Sequence, residues 1–91
     1  LWKSNGTAAG TVIVRDIRVG SGESIPNSLT GLNGTLYFGA NNGTSGWELW
    51  KSDGTSAGTV LVKDIWPGAN NSFPGGFTNL NGTLYFQAND G

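Results

Sequence analysis

Residues 34–65 read GTLYFGANNGTSGWELWKSDGTSAGTVLVKDI, and the text on either side repeats them. GTLYFQANDG returns at 82–91, and LWKSNGTAAGTVIVRDI opens the chain at 1–17. A shift of 48 residues aligns residues 1–43 with 49–91 without a gap, and 27 of those 43 pairs are identical. Trp2 falls on Trp50, Asp16 on Asp64, Pro26 on Pro74, Tyr37 on Tyr85 and Gly43 on Gly91. A fixed period of this size marks a repeat architecture and takes precedence over other local signals. The chain divides accordingly into copy one, 1–43, and copy two, 44–91.

Composition narrows the classes. Ninety-one residues allow one small domain with a modest core. There is no Cys, hence no disulfide or thiolate chemistry, and no His, the commonest general base and transition-metal ligand. There is no Met, so the sequence reads as a piece of a longer or processed chain. A net charge of -1 with 12% charged residues argues against nucleic acid or an anionic membrane as partner. No apolar run reaches the roughly 20 residues of a membrane helix, and no signal peptide is evident. Sixteen Gly would fit disorder, but four Trp, two Tyr and four Phe do not.

Each period reads as four short strands rich in β-branched and aromatic residues, with turn residues between them. The expected spans are 24–32 and 72–80 for the first strand, and 35–40 and 83–88 for the second. The third covers 47–52, with 1–4 as its truncated counterpart, and the fourth 11–17 and 59–65. Asn33-Gly34 and Asn81-Gly82 predict two-residue type I′ hairpins, since both residues tolerate positive φ. Residues 52–59 predict a longer hairpin in which the Asp53 carboxylate accepts backbone amides and Gly54 and Gly58 take left-handed conformations. Asn5 stands where Asp53 does, a neutral exchange for a turn acceptor and a poor one for a catalyst.

The strands carry large apolar groups on both faces: Val60 and Val62 against Leu61 and Ile65, Leu84 and Phe86 against Tyr85. Such a sheet must be covered twice. Four-stranded units of 40–50 residues, each covered by its neighbours, describe blades of a β-propeller, open or superhelical if the array does not close. A single β-sandwich is the alternative, but it needs no strict repeat.

The words Glu48-Leu49-Trp50-Lys51-Ser52-Asp53-Gly54-Thr55, Ala57-Gly58-Thr59 and Asn81-Gly82-Thr83-Leu84-Tyr85-Phe86 resemble the ELWxxDGT repeat, as does Pro67-Gly68 after the fourth strand. The first copy matches through Leu1, Trp2, Gly6, Thr7, Gly10, Thr11, Asp16 and Ile17, and departs at Asn5 and Val19. The resemblance implies large, secreted or surface-associated bacterial proteins with tandem propeller-like repeats. It implies no catalytic residues.

In strand order the chain runs three, four, one to four, then one and two. One whole blade lies between two halves, and copies joined head to tail would complete a blade between them. Head-to-tail contact gives a ring if its rotation closes and a filament if it does not. The partner expected is therefore the repeat itself, and the function expected is that of a structural module in a secreted or cell-surface assembly. A propeller binding glycan or protein at its loop edge is the alternative.

Candidate sites follow the same logic. Asp16, Asp53, Asp64 and Asp90 raise Ca²⁺, but they are spread one per turn or strand end, whereas Ca²⁺ takes six to eight oxygens. Asn5, Asn33, Asn42, Asn70 and Asn81 lie in Asn-x-Ser/Thr patterns open to glycosylation, four of them as Asn-Gly-Thr, where hairpin chemistry already accounts for the pair. Trp2 and Trp50 share a repeat position and read as blade packing, while Trp66, replaced by Arg18 in copy one, reads as an exposed contact residue. For acid or base work the chain offers only Asp53, Asp64, Glu48 and Glu23, in no recognisable constellation. The sequence is therefore read as non-enzymatic.

Overall fold

The computed structural model describes all 91 residues. Eight strands form: β1 (Trp2–Lys3), β2 (Val12–Ile13), β3 (Asn27–Leu32), β4 (Thr35–Asn41), β5 (Trp47–Ser52), β6 (Val60–Lys63), β7 (Gly75–Leu80) and β8 (Thr83–Gln87). They make three antiparallel sheets in chain order: β1-β2, β3-β4-β5-β6 and β7-β8. The chain is thus all-β, with one four-stranded sheet between two two-stranded ones. It contains no helix, so none long and apolar enough to cross a membrane. Its extents of 43 × 37 × 19 Å describe a slab.

Asn33 and Gly34 have φ of 51° and 78°, and Asn81 and Gly82 of 52° and 81°. Both central residues are left-handed in each hairpin, as the Asn-Gly signal predicts. The longer hairpins are built alike in both copies. The Ser52 and Thr59 hydroxyls lie 2.7 Å apart, as do those of Ser4 and Thr11. The Thr55 amide and hydroxyl donate to Asp53 Oδ1 at 2.9 and 2.6 Å, and those of Thr7 donate to Asn5 Oδ1 at 3.0 and 2.6 Å. The Thr55 hydroxyl in turn accepts the Gly58 amide; Gly54 is left-handed at φ 91° as expected, whereas Gly58 is not, its amide being held by that hydroxyl. A short polar side chain thus closes each turn locally.

The first strands start later than the sequence predicts, at Asn27 and Gly75 rather than 24 and 72. Pro26 and Pro74 carry no amide for the ladder. Ahead of them, Ile25 and Phe73 take φ of 45° and 50°, outside the strand region. The fourth strands are shorter than expected, ending at Ile13 and Lys63 rather than at 17 and 65.

The middle sheet is covered on both faces. Phe38, Ala40 and Trp50 form a buried cluster with Ile17, with Leu1, Leu36 and Leu61 packed around it. That face meets the β1-β2 sheet. On the other face the Trp47 ring sits edge-on to Phe73, centroids 5.5 Å apart. Gly39 is buried there, and a Cβ on it would meet the Trp47 indole and Pro74. The main core therefore lies between sheets, the arrangement that strands apolar on both faces demand.

Candidate functional site

The chemistry of this molecule is concentrated where one sheet passes to the next. Trp47 and Glu48, which open β5, and Gly46 just before them fasten the connection between β6 and β7. Glu48 is fully buried. Its Oε2 accepts the Ile65 amide at 2.8 Å and its Oε1 the Ser72 amide at 3.1 Å. A buried carboxylate survives because charge-assisted bonds replace its hydration. The Trp47 carbonyl accepts the amides of Ser72 and Phe73 at 3.0 and 3.3 Å, and its amide donates to Asn71 Oδ1 at 2.8 Å. Gly46 has φ of 73°, and a Cβ there would run into the Asn70 carbonyl. Three consecutive residues thus bind four consecutive ones, 70–73, mostly through backbone groups.

Cations add a second tie. Lys3 Nζ donates to the Gly54 carbonyl of the next hairpin at 2.9 Å. Arg15 Nη1 donates to the carbonyls of Ser56 and Thr59 at 3.3 and 2.9 Å. The repeat counterparts of Lys3 and Arg15 are Lys51 and Lys63, both exposed.

Identical residues differ in burial by sheet. Trp50 is 5% exposed in the four-stranded sheet, and Trp2 is 64% exposed in the two-stranded one. Ser52, Thr59 and Ala40 are buried, and their counterparts Ser4, Thr11 and Ala88 are exposed. Val14, which faces the middle sheet, is 8% exposed, and its counterpart Val62 43%.

The residues singled out in the sequence are not brought together. Asp53 is an exposed turn acceptor, and hydrogen bonds from the Thr55 hydroxyl and then its amide hold its carboxyl below the ordinary 3.8. Asp64 Oδ2 accepts the Gly68 amide at 3.2 Å. No group of three or more carboxylates forms, so Asp16, Asp53, Asp64 and Asp90 share no ion-sized cage. Asn5 and Asn42 are turn acceptors through Oδ1, and Asn70 donates its amide to the Pro67 carbonyl. Asn33 and Asn81 stand exposed at hairpin tips.

Trp66 departs from expectation. It is half-buried rather than exposed, and its indole lies beside Gly91. Arg18, also half-buried, lies beside Gly43 in the same way. The position differs between copies while its surroundings repeat.

Glu48 is the residue the sequence reading undervalued. By residue type it stands with the acids and bases, yet its carboxyl faces the amides of Ile65 and Ser72. Its only sequence signal was a lone carboxylate amid apolar strand residues. In comparisons with known proteins, no family model, curated protein or solved structure matches this chain.

Proposed function

We propose that the chain is a non-enzymatic structural repeat module of a secreted or cell-surface assembly, built head to tail through complementary half-blades. The observation that carries this reading is the contrast between Trp50 and Trp2: one residue of one repeat, buried in the four-stranded sheet and bare in the two-stranded one. Placing β1-β2 of a following copy beside β7-β8 reproduces the order β3-β4-β5-β6. The register follows by shifting the β4-β5 pairs by one period. Tyr85 then opposes Lys3 and Phe86 opposes Trp2, as Tyr37 opposes Lys51 and Phe38 opposes Trp50. Lys51 and Lys63 gain the hairpin carbonyls of that copy, as Lys3 and Arg15 do here. The following copy belongs to the same chain or to another; the joint is the same. The resemblance to the ELWxxDGT repeat and the propeller architecture belong to this reading.

Electron microscopy combined with sedimentation velocity tests it. Discs or rods, with sedimentation that grows with concentration, are expected. A species that stays at 9.5 kDa at every concentration contradicts the reading.

A second reading, a propeller module binding glycan or protein at its loop edge, draws on the Arg18 and Trp66 position, where the side chain changes and its surroundings do not. Trp66→Ala would abolish capture on a glycan or protein array if that reading holds.

A further inference from the structure

Four turns of this chain carry the same three residues, Asn-Gly-Thr, at 5–7, 33–35, 42–44 and 81–83. In such a pair the glycine amide can attack the asparagine side chain, because glycine has no Cβ to shield its nitrogen. With the local sequence equal, the fold decides which pair reacts, and the four are held differently.

At 5–7 and 42–44 both reacting groups are tied down. The Gly6 amide donates to Ser4 Oγ at 3.0 Å, and Asn5 Oδ1 accepts the amide and hydroxyl of Thr7. The Gly43 amide donates to Asn41 Oδ1 at 2.7 Å, and Asn42 Oδ1 accepts the amides of Thr44 and Ser45. At 81–83 the attacking group alone is held, the Gly82 amide donating to Asn79 Oδ1 at 3.1 Å. At 33–35 neither group is held. The residue one period before Asn79 is Gly31, so the side chain that restrains Gly82 has no counterpart, and the Gly34 amide makes no hydrogen bond. Asn33 and Gly34 are both exposed. Neighbouring hairpins stand on both sides of this tip: Gly34 lines a cleft with Lys3 and Asp53, and Asn33 Nδ2 lies beside Gly82. The freedom of the Gly34 amide is therefore a property of its own hairpin.

We propose that Asn33 is a site of covalent self-modification, converted to aspartate and isoaspartate through attack by the Gly34 amide. The Gly34 nitrogen attacks Asn33 Cγ and forms a new C–N bond. The Cγ–Nδ2 bond breaks, and ammonia leaves with the proton that the Gly34 amide gives up. Water then opens the five-membered imide at either carbonyl, leaving a carboxylate on a normal or a rerouted backbone. The rerouted form adds one carbon to a two-residue turn whose ladder closes at Leu32 and Thr35. Leu32 is buried, so that form disturbs packing at this end of β3 and β4. None of this depends on head-to-tail assembly.

The test ages the 91-residue chain in mildly alkaline buffer and locates amide-to-acid conversion by peptide mapping with mass spectrometry. Asn33 should convert about fivefold faster than Asn81, the scale of first breaking one neutral hydrogen bond, and faster still than Asn5 or Asn42. Two exchanges carry the comparison. Gly31→Asn gives copy one the side chain that holds Gly82, and a Cβ at Gly31 meets nothing within 4 Å. This variant should slow Asn33 to the rate of Asn81. Asn79→Gly should raise Asn81 to the rate of Asn33. In concentrated urea the four sites should convert at one common rate. Equal rates at Asn33 and Asn81 in the folded chain, an Asn33 rate unchanged by Gly31→Asn, or the folded-state order persisting in urea would each overturn the proposal.

Discussion

Asp53 and Asn5 occupy one turn position and make the same two bonds, to a threonine amide and hydroxyl two residues on. The negative charge is therefore dispensable to the turn. Asp53→Asn should leave stability at neutral pH unchanged, as at other surface positions, measured by urea unfolding. The charge does leave a pH signature. The folded-state pKa of Asp53 lies below its ordinary value, so the carboxylate's contribution is complete above that value. It disappears as pH falls through the lowered one. The parent should lose stability relative to Asp53→Asn on acidification below about pH 4, with no difference at pH 7. Glu48 stands at the opposite extreme, fully buried on the amides of Ile65 and Ser72. Glu48→Ala strands the Ile65 amide and leaves the Ser72 amide with the Trp47 carbonyl alone, and should cost roughly 1–3 kcal/mol, the scale of one unsatisfied buried donor. Glu23→Gln, at an exposed position, should change little. Equal effects of the two substitutions in urea unfolding would refute the role given to Glu48.

At the scale of the element, the connection 44–48 decides how one sheet follows another. Gly46 and Gly34 both have positive φ, but a Cβ at Gly34 meets nothing within 4 Å, and one at Gly46 meets the Asn70 carbonyl. Gly34→Ala should cost about 1 kcal/mol from the backbone alone. Gly46→Ala adds a steric conflict and should cost at least about 2 kcal/mol more, within the range of overpacked sites; thermal unfolding of the two variants separates the terms. The strands and hairpins were legible because their signals are local: Asn-Gly at φ-positive positions, alternating apolar residues and a period without gaps. The strand ends were less so. Pro26 and Pro74 displaced the start of β3 and β7 through the left-handed residues before them, a conformation that a sequence containing Ile25 and Phe73 does not advertise. The role of Glu48 was not legible at all, since its partners lie 17 and 24 residues away and are backbone amides with no side-chain signature.

At the scale of the molecule, burial is set by which neighbouring sheet covers a position and not by the residue: Trp50 and Val14 are buried, and their repeat counterparts Trp2 and Val62 are exposed. Trp50→Ala removes a core ring and should cost about 3–5 kcal/mol. Trp2→Ala, at the same repeat position but largely exposed, should leave the isolated chain's stability nearly unchanged while weakening association. Sedimentation velocity and urea unfolding, run on both variants, read the two effects separately. The absence of Cys makes the joint itself accessible to one direct measurement. A chain carrying Lys3→Cys and Tyr85→Cys places the two thiols opposite each other across the completed sheet, by the register of Lys51 and Tyr37. Under mild oxidation this chain should form a ladder of interchain disulfides. The chain carrying Ser4→Cys and Tyr85→Cys, one residue out of register and on the other face, should not. A ladder from the second chain alone, or from neither, would contradict the head-to-tail completion of blades.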